Sequence, residues 1–174
     1  IGGNNNFIMA KKKKLPKKIT VIWDASWSGL KRDLQKEKRV LKNYLKTIGT
    51  VTVDLVVFRN KVSGKKTFRI YNGRVQKLLS YIDSIEYDGA TSLGSLNFKK
   101  YRSKEILLFS DGISNFGAPY ITLSNIPVIC INSNISAEHS YFQYVAQKTG
   151  GLYINLNSIT AKHALKLLLQ SPLY

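Results

Sequence analysis

The chain has 174 residues, 44% apolar and 21% charged, with 12 Gly and 4 Pro; that balance specifies one globular domain with a substantial core and excludes a disordered or collagen-like chain. No apolar run approaches the ~20 residues of a membrane-crossing helix, and a lone cysteine, Cys130, excludes an intrachain disulfide. The formal charge of +17 attracts phosphate backbones or anionic membranes in general, yet six lysines are gathered in KKKKLPKK, Lys11 to Lys18, ahead of the first strand.

The opening IGGNNNFIMA lacks an initiator Met and the features of a signal peptide. Residues 1–18 read as a linker or the tail of a preceding region, with a strand-like NNNFIMA, and residues 19–174 as the domain. ITVIW is a buried strand ending at Asp24. A helix follows, with Leu30, Leu34, Leu41, Leu45 and Ile48 near helical spacing and Gly49 at its C-cap. Lys31, Arg32, Lys36, Lys38, Arg39, Lys42 and Lys46 read as its solvated face. TVTVDLVVF and KTFRIYN are strands joined by RNKVSGK, whose Ser-Gly supports an antiparallel hairpin at one edge. GRVQKLLSYIDSI is helical through Val75, Leu78, Leu79 and Ile82, and LGSLNFKKY reads as a shorter helix. EILLF and IPVICIN are short buried strands, with Cys130 a core filler. Helix AEHSYFQYVAQKT, Gly150-Gly151, strand LYINLN and helix TAKHALKLLLQ complete the chain. This alternation specifies an α/β fold: a doubly wound, mainly parallel, six-stranded sheet with one antiparallel edge strand and helices on both faces.

In such sheets ligands bind beyond the carboxyl ends of the strands. Asp24 stands at one such end, followed at alternate positions by Ser26 and Ser28. Asp111 follows EILLF, and Thr91 lies in the loop YDGATSLG. If the two strands are neighbours, these three loops converge. The set Asp24, Ser26, Ser28, Thr91 and Asp111 offers hard oxygen ligands, which suit Mg²⁺ and not zinc. Each member also has a plain structural use: Ser28 as a helix N-cap, Thr91 and Ser92 as caps of the next helix, Asp111-Gly112 as a turn. Trp27 is read as exposed beside the site or packed on a neighbouring loop, and Trp23 as core. His139 and His163 fall in helices away from the loops, and Asp83, Glu86 and Asp88 read as solvated loop charges.

The ordered trio DASWS, DGATS and FSDG resembles the von Willebrand factor A domain with its metal-ion-dependent adhesion site, over nearly the whole chain from about Lys17. The resemblance implies a Rossmann-like fold and a metal site of Asp24, Ser26, Ser28, Thr91 and Asp111 holding Mg²⁺, or Mn²⁺ or Ca²⁺ in its place. It also implies a non-catalytic adhesion module whose protein partner completes the metal's coordination with an Asp or Glu. Trp27, Gly112 and Asn115 are the candidate ligand-contacting residues, and an extracellular, cell-surface or periplasmic setting in a bacterial protein is expected. Two rivals remain. A phosphotransfer enzyme of the haloacid dehalogenase type would need an acidic residue where Ser26 stands. A nucleic-acid-associated module would use the basic surface.

Overall fold

The computed structural model describes residues 12–170. Among them the chain forms six strands, β1 (Lys18–Asp24), β2 (Val51–Phe58), β3 (Val62–Ile70), β4 (Glu105–Phe109), β5 (Val128–Asn132) and β6 (Leu152–Asn155). Four α-helices accompany them: α1 (Leu34–Ile48), α2 (Gln76–Asp83), α3 (His139–Thr149) and α4 (Ala161–Leu168). The strand order is β3-β2-β1-β4-β5-β6, parallel throughout except for β3 against β2. The fold class read from the sequence is therefore the one observed. No helix among the described residues is long and apolar enough to cross a membrane.

The central strands are continuous apolar runs because both of their faces are covered. Along β1, Ile19, Val21 and Trp23 enter a core shared with α1, α2 and α4, while Ile22 enters a second core with Phe58, Phe98 and, from α3, Phe142 and Val145. Strand β4 divides in the same way, Leu107 and Phe109 facing the first core and Ile106 and Leu108 the second. Cys130 is fully buried in that second core, and desolvation pushes its thiol pKa upward. Chain order reverses direction at the β1–β4 boundary, which puts the crevice of a doubly wound sheet at the carboxyl ends of these two strands.

Four local expectations are corrected. Leu30 does not belong to α1: it lies in a 3-10 segment, Trp27–Lys31, and is exposed. The helix proper starts at Leu34 after Asp33, whose carboxylate accepts from Lys36 N at 3.0 Å. The stretch LGSLNFKKY forms two short 3-10 turns, Leu93–Ser95 and Phe98–Lys100, because Leu93, Leu96 and Phe98 are all buried at a spacing too irregular for one α-helical stripe. The hairpin turns at residues 59–61, with Arg59 N donating to Lys61 O, while Ser63 and Gly64 already belong to β3. Arg32, placed on the solvated face from sequence, is buried.

The strand-like NNNFIMA lies outside the described residues. Closer to β1, Lys13 N donates to Leu169 O, and the Lys13 ammonium sits 2.5 Å from the buried Glu105 carboxylate, which also accepts from the Tyr44 hydroxyl. Burial first, and then the Glu105 charge, push the Tyr44 pKa up.

Candidate metal centre

The register of the sheet brings the first and third loops together. Trp23 pairs with Phe109 across β1 and β4, so the next residues, Asp24 and Ser110, continue side by side on the face of Ile22 and Leu108. Ser110 Oγ donates to Asp24 Oδ2 at 2.6 Å. The other carboxylate oxygen of Asp24 accepts from Ser26 N at 2.9 Å, a bond that curls the chain so that the Ser26 and Ser28 hydroxyls lie 3.2 Å apart.

The second loop is tied to both. Trp27 N donates to Gly89 O and Asp88 N to Ala25 O, joining the first and second loops. Asn115 joins the second and third: its Oδ1 accepts from Thr91 N at 2.8 Å and its own N donates to Thr91 O at 3.1 Å. Gly94 lets these loops touch, since Gly94 N donates to Ala118 O and a Cβ there would meet that oxygen at 2.5 Å. Thus the three loops carrying Asp24, Ser26, Ser28, Thr91 and Asp111 are hydrogen-bonded to one another in all three pairs.

Asp24, Ser26, Thr91 and Asp111 are buried and Ser28 is half-buried. Asp111 accepts from Ile113 N at 3.1 Å and from Asn134 Nδ2 at 3.2 Å, while Glu138 N, at the start of α3, donates to Asp111 O. The structural uses considered above account for only part of this. Asp33, not Ser28, caps α1, and Ser92, at the N-cap of the 3-10 turn that follows, makes no side-chain capping bond. Asp111 does form a local turn, with Gly112 at a φ of 73°.

Among the described residues the buried side-chain polar atoms without a hydrogen bond are Thr91 Oγ1 and Arg59 Nε. The second lies 2.9 Å from the Asp88 carboxylate, which leaves Thr91 Oγ1 as the one with no partner of any kind. A buried hydroxyl without a partner costs about 1–3 kcal/mol, and this one, on a loop bonded to those of Asp24 and Asp111, is available to an oxygen-seeking cation. Among the described residues there is no group of three or more His, Cys, Asp or Glu side chains suited to a metal; the donors here are two carboxylates and three hydroxyls.

Of the candidate contact residues, Trp27 is 65% exposed at the rim. Asn115 spends its carbonyl on Thr91, and Gly112 is buried under Phe142. Trp23 is core, stacked on Phe109 with ring centroids 4.8 Å apart. His139 bonds Tyr153 and Ile135 O, and Asp83, Glu86 and Asp88 are exposed.

The sequence reading missed four supports. Ser110 holds Asp24, and Asn134 holds Asp111. Arg32 donates to Asp24 O at 2.6 Å and pairs with Glu37 at 2.8 Å, both side chains fully buried. Ser133 Oγ donates to Glu37 at 2.5 Å and accepts from Asp33 N at 2.6 Å. Burial alone draws the Arg32 pKa down, but the charge and hydrogen bonds of Glu37, with the charge of Asp24, outweigh it and leave it raised. Ser133 and Asn134 follow the strand IPVICIN at its carboxyl end, the same positional signal that singled out Asp24.

The chain matches no protein-family model and no curated protein. Solved structures are similar in fold. An aerotolerance-related membrane protein from Bacteroides fragilis, carrying multiple mutations to serines, is 16% identical with a TM-score of 0.61, over 86% of this chain and 94% of its own. A von Willebrand factor type A protein from Catenulispora acidiphila is 14% identical with a TM-score of 0.61, over 86% of this chain and 41% of its own. The PilB minor pilin from Streptococcus sanguinis is 14% identical with a TM-score of 0.55, over 88% of this chain and 60% of its own. The chain has a von Willebrand factor A-like fold.

Proposed function

We propose that this domain is a non-catalytic, divalent-metal-dependent protein-binding module. Asp24, Ser26, Ser28, Thr91 and Asp111 would hold Mg²⁺, or Mn²⁺ or Ca²⁺, and the ion would supply an electrophilic seat for an Asp or Glu of a partner. Two carboxylates balance the charge of a divalent ion and three neutral hydroxyls leave its electrophilicity intact. The observation that supports this reading above all is the buried, partnerless Thr91 Oγ1, on a loop hydrogen-bonded to the two loops that carry the other four oxygen donors. The chain's own residues do the positioning: Ser110 and Arg32 fix Asp24, Asn134 and Ile113 N fix Asp111, and Asn115 fixes the backbone of Thr91. Exposed Trp27, with Phe116 of the third loop, offers apolar contact beside the seat. A role in protein–protein contact accords with the minor pilin among the similar folds.

Calorimetric titration with Mg²⁺ tests the reading. Binding by the native chain and its loss in Asp111→Ala is the expected result; equal Mg²⁺ affinity in the two proteins overturns it.

A further inference from the structure

A second feature shares no lining residue with the candidate metal centre. Residues 120–125, leading towards β5, and the outer face of α3 enclose an open groove of about 1000 Å³. Its walls include Tyr120, Tyr141 and Tyr144, with Lys99 and Lys148 also lining it. The rings form a contiguous run: Tyr120 and Tyr141 have centroids 5.5 Å apart, and Tyr141 and Tyr144 are stacked at 6.4 Å with planes inclined by 22°. Tyr141 is locked in place, because its hydroxyl accepts from Ile121 N at 2.8 Å. Although both pack against Tyr141, Tyr120 and Tyr144 stay 68% and 54% exposed, a contiguous apolar surface of the kind that marks an interaction site.

Charge decides what such a surface takes. From Gly112 to Tyr174 the sole carboxylate side chain is Glu138, and none lines the groove, whereas lysines do. The occupant is therefore anionic, and it presents flat apolar faces in succession to meet the rings. An acidic peptide satisfies the lysines and leaves the tyrosines unused. Single-stranded nucleic acid satisfies both, since aromatic side chains take stacked bases without sequence preference while cations follow the phosphates. A pre-fixed ring such as Tyr141 also lowers the ordering cost of binding. We propose that this tyrosine groove binds single-stranded nucleic acid, by stacking on Tyr120 and Tyr144 and phosphate contact from Lys99 and Lys148.

The test uses fluorescence anisotropy of labelled oligo(U) and oligo(dT) with the full chain in EDTA, which keeps the result independent of the metal centre. Tyr120→Ala/Tyr144→Ala, at exposed positions and checked for an unchanged melting temperature, should bind roughly tenfold weaker or worse. Lys99→Ala/Lys148→Ala should reduce the slope of log affinity against log salt by about 1.4, from two phosphate contacts on a single strand. Absence of oligonucleotide binding at low salt overturns the proposal. So does binding that the tyrosine variant leaves unchanged, which is attraction by net charge alone. Tyrosine-dependent binding of polyglutamate or heparin without binding of oligonucleotide likewise overturns it and assigns the groove to another polyanion.

Discussion

Thr91 shows how one atom distinguishes a scaffold from a site. Its backbone is fully used, with Thr91 N bonded to Asn115 and Thr91 O accepting from Asn115 N and Phe116 N, while the hydroxyl is buried and unused. Valine has nearly the same shape and lacks that hydroxyl. In EDTA, Thr91→Val should therefore stabilise the fold by about 1 kcal/mol, since it removes an unmet desolvation cost. With Mg²⁺ in excess the order should reverse, because a ligand that binds only the native state stabilises it by mass action and the variant forgoes that gain. Thermal melts of both proteins, with and without Mg²⁺, measure the crossover. Parallel shifts in the two proteins would mean that Thr91 plays no part in holding an ion.

At the scale of elements, the first loop is held to α1 through a buried ion pair. Arg32 bonds Asp24 O, pairs with Glu37 in the first turn of α1 and lies 5.5 Å from the Trp23 ring. Glu37 in turn accepts from Ser133, next to the Asn134 that holds Asp111. The route from one aspartate to the other is thus closed on both sides, through Ser110 and through Arg32, Glu37 and the end of β5. Breaking a fully buried pair strands the remaining charge, so Arg32→Met should cost about 3–5 kcal/mol. Arg32→Met/Glu37→Leu should recover much of that stability, as apolar replacement of a buried pair does. Because Asp24 O still lacks its donor, Mg²⁺ affinity should stay weakened. Urea denaturation and Mg²⁺ calorimetry on the two variants separate these effects, and a cost below about 1 kcal/mol for the single change would refute the role given to the pair. This support was not legible beforehand. A lone Arg between two exposed residues, Lys31 and Asp33, resembles any surface cation, and what buries it is the fold of a 3-10 turn over Tyr87, where a Cβ on Gly29 would meet the ring at 2.8 Å. Ser110 was hidden for a related reason: its contact with Asp24 depends on the register of two strands 86 residues apart in sequence. The strands themselves were legible, because strands buried on both faces must be continuous apolar runs. The turn of the hairpin was not, because Ser63-Gly64 carries turn chemistry into a strand that is exposed along most of its length.

At the scale of the whole molecule, charge acts in opposite senses on the two proposed sites. A chain of formal charge +17 repels a divalent cation at long range, although Asp24 and Asp111 attract it locally. Those carboxylates are buried and bonded, so salt screens their pull less than it screens the repulsion from the many exposed lysines. The Debye length shortens from about 30 Å at 0.01 M to about 8 Å at 0.15 M salt. Over that range Mg²⁺ affinity should hold or rise, contrary to the loss expected for a cation site on an acidic protein. Nucleic acid in the tyrosine groove should respond the other way, since each neutralised phosphate releases counterions and affinity falls steeply with salt. Paired titrations in NaCl, one with Mg²⁺ and one with oligo(U) in EDTA, therefore should give slopes of opposite sign or one slope near zero. A steep negative slope for Mg²⁺ would show that salt screens the pull of the two carboxylates as it does at an exposed site, and would refute a buried seat for the ion.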